Sequence, residues 1–80
     1  MPSELLERMR RSPAADWQIR DVEAVCREYG VMFRPGKGTS HCRAKHPSAR
    51  EILTIPARRP IKPVYIRKLV RYIETYGAAP

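Results

Sequence analysis

With 80 residues, the chain is long enough for one small domain, which would bury a modest core and be marginally stable alone. Lysine and arginine number 16 against 8 acidic residues, so the formal charge is +8. This excess favours a polyanionic partner, with nucleic acid as the first choice. A membrane surface is disfavoured, because no predicted helix combines a purely basic polar face with a bulky apolar one.

The first 16 residues predict a helical extension ahead of a single main domain, which spans residues 17–80. Ser3 is placed to cap a short helix that runs to about Arg11. The apolar residues on one side of this helix are Leu5, Leu6 and Met9. Because the segment is short and basic at its end, we expect it to pack as an appendage rather than as part of the core.

Two longer helices are predicted, one before and one after a set of strands. The first follows Trp17 and ends at Gly30, a natural C-terminal cap. The second begins at Pro63, since proline is favoured in the first helical turn, and ends at Gly77. Both carry apolar residues at helical spacing. These stripes are Val22, Val25, Cys26 and Tyr29 in the first helix, and Ile66, Leu69, Val70 and Ile73 in the second.

Three strands are predicted between these helices, at residues 31–34, 39–46 and 50–55. The order is therefore α-β-β-β-α after the short first helix. This order predicts an α+β fold in which two helices cover one face of a three-stranded antiparallel sheet. The other face of the sheet would be open to a ligand or a partner protein.

The middle strand has two different faces, because side chains alternate along a strand. One face carries Thr39, His41, Arg43 and Lys45, and the other carries Ser40, Cys42, Ala44 and His46. The first face is polar and basic, so we expect its residues to point together into solvent. His46 directly precedes Pro47. We therefore interpret His46 as a turn residue rather than as a second catalytic group.

The two cysteines, Cys26 and Cys42, both fall at apolar positions of predicted elements. Since the sequence shows no signal peptide and no long apolar run, we expect both to be reduced core thiols of a cytoplasmic protein. These two cysteines, together with His41 and His46, are residue types that could bind zinc. However, neighbouring residues on a strand point to opposite faces, so His41 and Cys42 cannot easily share an ion. We therefore expect no metal and no other cofactor.

Residues 36–41, Gly-Lys-Gly-Thr-Ser-His, contain the residue types best suited to binding a phosphate and transferring a proton. A glycine turn lets the backbone approach a phosphate closely, because glycine has no Cβ. Histidine is the side chain best suited to proton transfer near neutral pH. A phosphate cradle with His41 at its rim is what cleavage of an RNA backbone needs. The alternative is a solvated hairpin turn with an incidental histidine, and these residues alone do not exclude it.

The element order resembles the double-stranded-RNA-binding-domain fold, and several short motifs narrow the resemblance to the HicA family of toxins. The motifs are a glycine turn followed by Ser40-His41, a strand ending Leu53-Thr54-Ile55-Pro56, and Lys62-Pro63 opening a helix with Ile66-Arg67-Lys68-Leu69. They occur in the order typical of that family and cover roughly residues 17–76. The resemblance is fairly specific when the motifs are taken together.

The resemblance implies an mRNA interferase of a type II toxin-antitoxin system, held inactive by a HicB-type antitoxin. Oligomers would then form only through the antitoxin complex. The resemblance also implies that His41 is the catalytic histidine, and that Gly38 and Ser40 are the glycine and serine of the family motif. Here Thr39 stands between them, so the turn is one residue longer than in the commonest form.

The resulting hypothesis is metal-independent cleavage of single-stranded RNA, with His41 as the general base. Lys37, Arg43 and Lys45, with the backbone of the glycine turn, would bind phosphate and stabilise transition-state charge. Water, a lysine or an arginine could protonate the leaving oxygen. The basic connector with Arg58, Arg59 and Lys62 would extend the phosphate track or meet an acidic antitoxin.

Two alternatives stay open. The first is a non-catalytic RNA-binding module of the same fold, whose affinity would fall as salt rises. The second is a structural or protein-interaction subunit, which would not bind RNA at moderate salt.

Overall fold

A computed structural model describes residues 3–36 and 41–77 of the chain. The helices are α1 (Glu4–Arg11), α2 (Ile19–Glu28) and α3 (Pro63–Tyr76). The strands are β1 (Met32–Arg34), β2 (His41–Lys45) and β3 (Leu53–Pro56). The α+β class and the antiparallel three-stranded sheet are as predicted, and α3 begins at the expected proline.

Helix α1 is part of the core, so the prediction that it packs as an appendage is wrong. The Ser3 hydroxyl caps the helix as predicted, by accepting a hydrogen bond from the N–H of Leu6 at 2.9 Å. Leu6 and Met9 are buried, and Met9 is completely inaccessible to solvent. The helix contacts both α3 and α2. A short amphipathic helix buries its apolar side wherever another element offers apolar surface, and here α3 does so.

Helix α2 ends where a left-handed glycine turns the chain into the sheet. Gly30 has a φ of 71°, a conformation that residues with a Cβ rarely adopt. Directly after it, the N–H of Val31 donates to the carbonyl of Cys26 at 2.9 Å. Because the N–H of Val31 is hydrogen-bonded to the end of α2, β1 begins at Met32, one residue later than predicted.

The sheet has the order β1-β2-β3, and β2 pairs antiparallel with both neighbours. Strand β3 starts at Leu53, three residues later than the predicted start at Arg50. The reason lies in Tyr72 of α3, whose hydroxyl donates to the carbonyl of Glu51 at 3.0 Å. The same hydroxyl accepts a hydrogen bond from the N–H of His46 at 2.9 Å. The side chain of Tyr72 therefore fixes the ends of the loop between β2 and β3, which would otherwise extend the strands.

The helices cover one face of the sheet. Cys42 and Ala44 of β2 are buried on that face, and so is Ile55 of β3, the strand partner of Cys42. Helix α2 contacts β1, and α3 contacts β3. The largest fully buried side chains of the described residues are Met9, Ile55, Ile61, Ile66, Leu69, Ile73, Val22, Val25 and Cys26.

Both cysteines are buried and carry free thiols, as predicted. Burial raises the pKa of the Cys26 thiol to about 12, with a smaller contribution from the nearby charge of Glu23. In the described part of the chain, no group of three or more His, Cys, Asp and Glu residues could hold a metal ion. None of the helices at residues 3–36 and 41–77 is long and apolar enough to span a membrane.

Candidate nucleic-acid interface

The uncovered face of the sheet carries His41, as the alternation of β2 predicted. His41 and Arg43 are exposed, Lys45 is half-buried, and the intervening Cys42 and Ala44 are buried on the opposite face. Same-face neighbours on a strand are two residues apart, so His41 and Arg43 are separated by roughly 7 Å along β2. One ligand spanning two phosphates or a phosphate and a ribose could therefore contact both side chains.

The register of the sheet adds residues of β1 and β3 to this face. Directly opposed residues in an antiparallel sheet point to the same side. The cross-strand rows on the open face are His41 with Pro56, Arg34 with Arg43 and Thr54, and Met32 with Lys45. We call these residues the open face.

Arg34 and Arg43 are directly opposed on the open face, and both are exposed. Between described residues, ion pairs join Arg10 to two glutamates, Arg27 to Glu23 and Arg59 to Asp16, but none involves Arg34 or Arg43. Like charges directly opposed across strands destabilise a sheet. Two opposed guanidiniums without a carboxylate between them therefore form a favourable position for an anion, and phosphate matches their geometry.

Arg34 was missed in the sequence analysis. Its strand has only three residues, so the alternation along β1 gives no clear assignment of faces. The register with β2 is what places Arg34 beside Arg43, and register becomes visible only in the folded sheet. One signal was available in the sequence. Arg34 directly follows Phe33, which packs half-buried against the core, so Arg34 points to the opposite face of the sheet.

Lys45 has a structural contact that sequence reasoning did not anticipate. Its Nζ donates to the carbonyl of Ala49 at 2.8 Å and to the carbonyl of His46 at 3.3 Å. The ammonium therefore holds together the turn that follows β2. Its charge still lies at the edge of the open face, and its contact with RNA stays a prediction.

His46, the second histidine, is fixed by the same turn. Its Nδ1 accepts a hydrogen bond from the N–H of Ser48 at 3.0 Å. Its ring stacks on Tyr76 of α3, with 6.5 Å between the ring centroids. These contacts support its interpretation as a turn residue and leave His41 as the histidine of the open face.

The glycine turn itself, including the predicted site residues Lys37, Gly38 and Ser40, lies outside the described residues. The described chain resumes at His41, the first residue of β2. Comparisons of the chain with protein-family models, with curated proteins and with solved structures found no match.

Proposed function

We propose that this protein is a toxin of the HicA type, a cytoplasmic endoribonuclease that cleaves messenger RNA without a metal and is inhibited by a HicB-type antitoxin. The observation that supports it best is the position of His41 on the uncovered face of the sheet, two residues from Arg43 and its opposed partner Arg34. The α-β-β-β-α order is compatible with the double-stranded-RNA-binding-domain fold that the resemblance implies.

The reaction requires a base, an in-line attack and stabilisation of charge. His41 takes the proton from a ribose 2′-hydroxyl, and the 2′-oxygen attacks the adjacent phosphorus. The bond from phosphorus to the 5′-oxygen of the next nucleotide breaks. The 5′-oxygen then takes a proton from water or from a cationic side chain. The products are a 2′,3′-cyclic phosphate and a free 5′-hydroxyl.

The two arginines of the open face supply the charge stabilisation. Negative charge on the non-bridging phosphate oxygens increases as the 2′-oxygen attacks. A guanidinium holds its charge at every working pH and can donate two parallel hydrogen bonds to a phosphate. Because Arg34 and Arg43 project from opposed positions on neighbouring strands, both can approach one phosphate. Lys37, Gly38 and Ser40 would complete the phosphate cradle.

The decisive experiment measures RNA cleavage in excess chelator by the parent chain and by two histidine variants. His41→Ala should abolish cleavage, whereas His46→Ala should retain it, because the ring of His46 bonds to the turn at Ser48 and stacks on Tyr76. Parent fragments should carry cyclic phosphate ends. Intact RNA with the parent chain, at proven binding, would instead favour the non-catalytic RNA-binding module.

The biological role has its own test. Expression of the parent chain alone should arrest growth, and expression of His41→Ala should not. A small neighbouring reading frame of the HicB type should relieve the arrest. Harmless expression of a folded, active parent chain would contradict the toxin proposal.

A further inference from the structure

A cavity of about 280 Å³ lies at the end of the sheet, next to the open face. Its lining consists of Pro56, Arg58, Arg59, Pro60, Lys62 and Tyr65. We call it the Arg58 cavity. Pro56 is the strand partner of His41, and opposed Cα atoms of an antiparallel pair are about 4.5–5.5 Å apart. The cavity therefore begins one strand spacing away from the backbone of the proposed catalytic residue.

The charge of the Arg58 cavity is positive. Arg58, Arg59 and Lys62 are exposed cations, and no carboxylate is part of the lining. Two other cavities, which lie against α3, differ in this respect, because Glu51 lines one and Glu74 lines the other. Cations without a carboxylate in the lining favour an anion in the Arg58 cavity.

One of the three cations is already held in place. Arg59 donates to both oxygens of Asp16, at 2.9 Å and 3.4 Å. These hydrogen bonds lower the pKa of Asp16 below its ordinary value, so the carboxylate stays charged. In the described residues, neither Arg58 nor Lys62 has a carboxylate within ion-pair distance. Their charges are therefore available to a ligand.

The rest of the lining offers flat, largely apolar surface. It consists of two prolines and the half-buried Tyr65. A nucleotide needs both kinds of surface, since its phosphate seeks cations and its base seeks aromatic or apolar contact. The volume is close to the lower end of the usual range for ligand sites, about 300–1,000 Å³, and so matches one nucleotide better than a duplex.

We propose that the Arg58 cavity is a nucleotide subsite, which binds the RNA nucleotide that adjoins the two nucleotides joined by the linkage at His41. This inference rests on the RNA binding in the proposed function and extends it to a second position along the strand. It assigns Arg58 and Lys62 to the phosphate and the prolines with Tyr65 to the base. An acidic antitoxin segment is the competing occupant, and continuity with His41 favours RNA.

The test compares two double variants with equal loss of charge, both in a His41→Ala chain, so that binding is measured without cleavage. Arg58→Gln/Lys62→Gln alters the cavity, and Arg20→Gln/Arg67→Gln alters exposed helix positions that are not part of its lining. Fluorescence anisotropy reports the affinity of labelled oligouridylate at several salt concentrations. Two lost phosphate contacts should reduce the slope of log K against log salt by about 1.4, with affinity falling roughly tenfold at moderate salt. The control should change affinity less than twofold.

A length series supplies the positional part of the test. A dinucleotide occupies only the linkage at His41, so the cavity variant should bind it like the control, whereas a longer oligouridylate should be bound more weakly. Equal affinity and salt slope of both variants for the long oligonucleotide would overturn the subsite. So would a loss confined to the antitoxin, with RNA binding unchanged.

RNA cleavage tests the nuclease proposal, and the RNA affinity of the cavity variant tests the subsite. Cleavage by the parent chain, together with unchanged RNA affinity of the cavity variant, would reject the subsite and keep the nuclease. Cavity-dependent binding by a chain that never cleaves RNA would reject the nuclease and keep the subsite. Equal melting temperatures of the two variants would show that neither result arises from unfolding.

Discussion

Arg34 and Arg43 are directly opposed across β1 and β2, with both guanidiniums exposed on the uncovered face of the sheet. The pair opposes folding through repulsion and favours binding of an anion. Neutralising one member should therefore change stability and binding in opposite directions. This contrast separates a binding site from two merely solvated surface arginines.

The first prediction concerns Arg43→Gln. Relief of repulsion should raise the free energy of unfolding by about 0.2–1 kcal/mol, and the gain should shrink as salt increases. RNA affinity should fall, with the salt slope reduced by about 0.7. Urea unfolding and fluorescence anisotropy measure the two effects. Arg20→Gln on α2 is the matched control, with little expected change in either. A variant Arg43→Gln that binds RNA as tightly as the parent would remove the arginine pair from the site.

The second prediction concerns the hydroxyl of Tyr72. It accepts from the N–H of His46 and donates to the carbonyl of Glu51, so Tyr72→Phe leaves two backbone groups without this partner. The free energy of unfolding should fall by about 1–3 kcal/mol. Tyr65→Phe is the control on the same helix, because no hydrogen bond of the Tyr65 hydroxyl joins described residues. Equal stability of the two variants would show that the bridge contributes nothing.

These contacts show where sequence reasoning succeeds and where it stops. Helix α3 and the alternation of β2 are local patterns, and both were predicted correctly. The late start of β3 depends on a tyrosine on a helix more than fifteen residues farther along the chain. The pairing of Arg34 with Arg43 depends on the register between two strands. Tertiary contacts of this kind have no local periodicity, so a single sequence does not reveal them.

The same limit explains the error about α1. Its amphipathic pattern was visible, but nothing in the pattern states which surface receives the apolar side. In the structure that surface belongs largely to α3, and an ion pair from Arg10 to Glu74, 2.6 Å long, links the same two helices. The segment before Trp17 therefore contributes to folding, although it lies outside the resemblance to the toxin family.

The third prediction tests this contribution. Met9→Ala should lower the free energy of unfolding by about 2–5 kcal/mol, because it removes a side chain that is fully buried. Leu5→Ala should cost less, since Leu5 is only partly buried against the core. Urea denaturation at neutral pH measures both. If Met9→Ala and Leu5→Ala were equally mild, α1 would be an appendage after all.

The fourth prediction follows from the Cys26 thiol, whose pKa burial raises to about 12. An unfolded chain releases this proton near pH 8.5, whereas the folded chain keeps it until about pH 12. Folded protein therefore binds more protons in this window, and stability falls as the pH rises through it. At pH values below the pKa of the unfolded chain, the contribution of this thiol to the free energy of unfolding does not change with pH. Other groups titrate in the same range, so the effect has to be measured as a difference between parent and Cys26→Ala.

Cys26→Ala should remove this loss, so that its stability declines less steeply with alkaline pH than that of the parent. The difference in slope should reach up to about 1.4 kcal/mol per pH unit, the value for one proton. Urea unfolding at successive pH values above 8.5 gives the slopes. Alkylation with iodoacetamide at mildly alkaline pH, read by peptide mapping, gives an independent measurement on the parent chain. Cys26 should resist alkylation in the folded protein and react in urea, because the reagent needs an accessible thiolate. Rapid modification of folded Cys26, or identical alkaline slopes for parent and variant, would contradict its assignment as an inert core thiol.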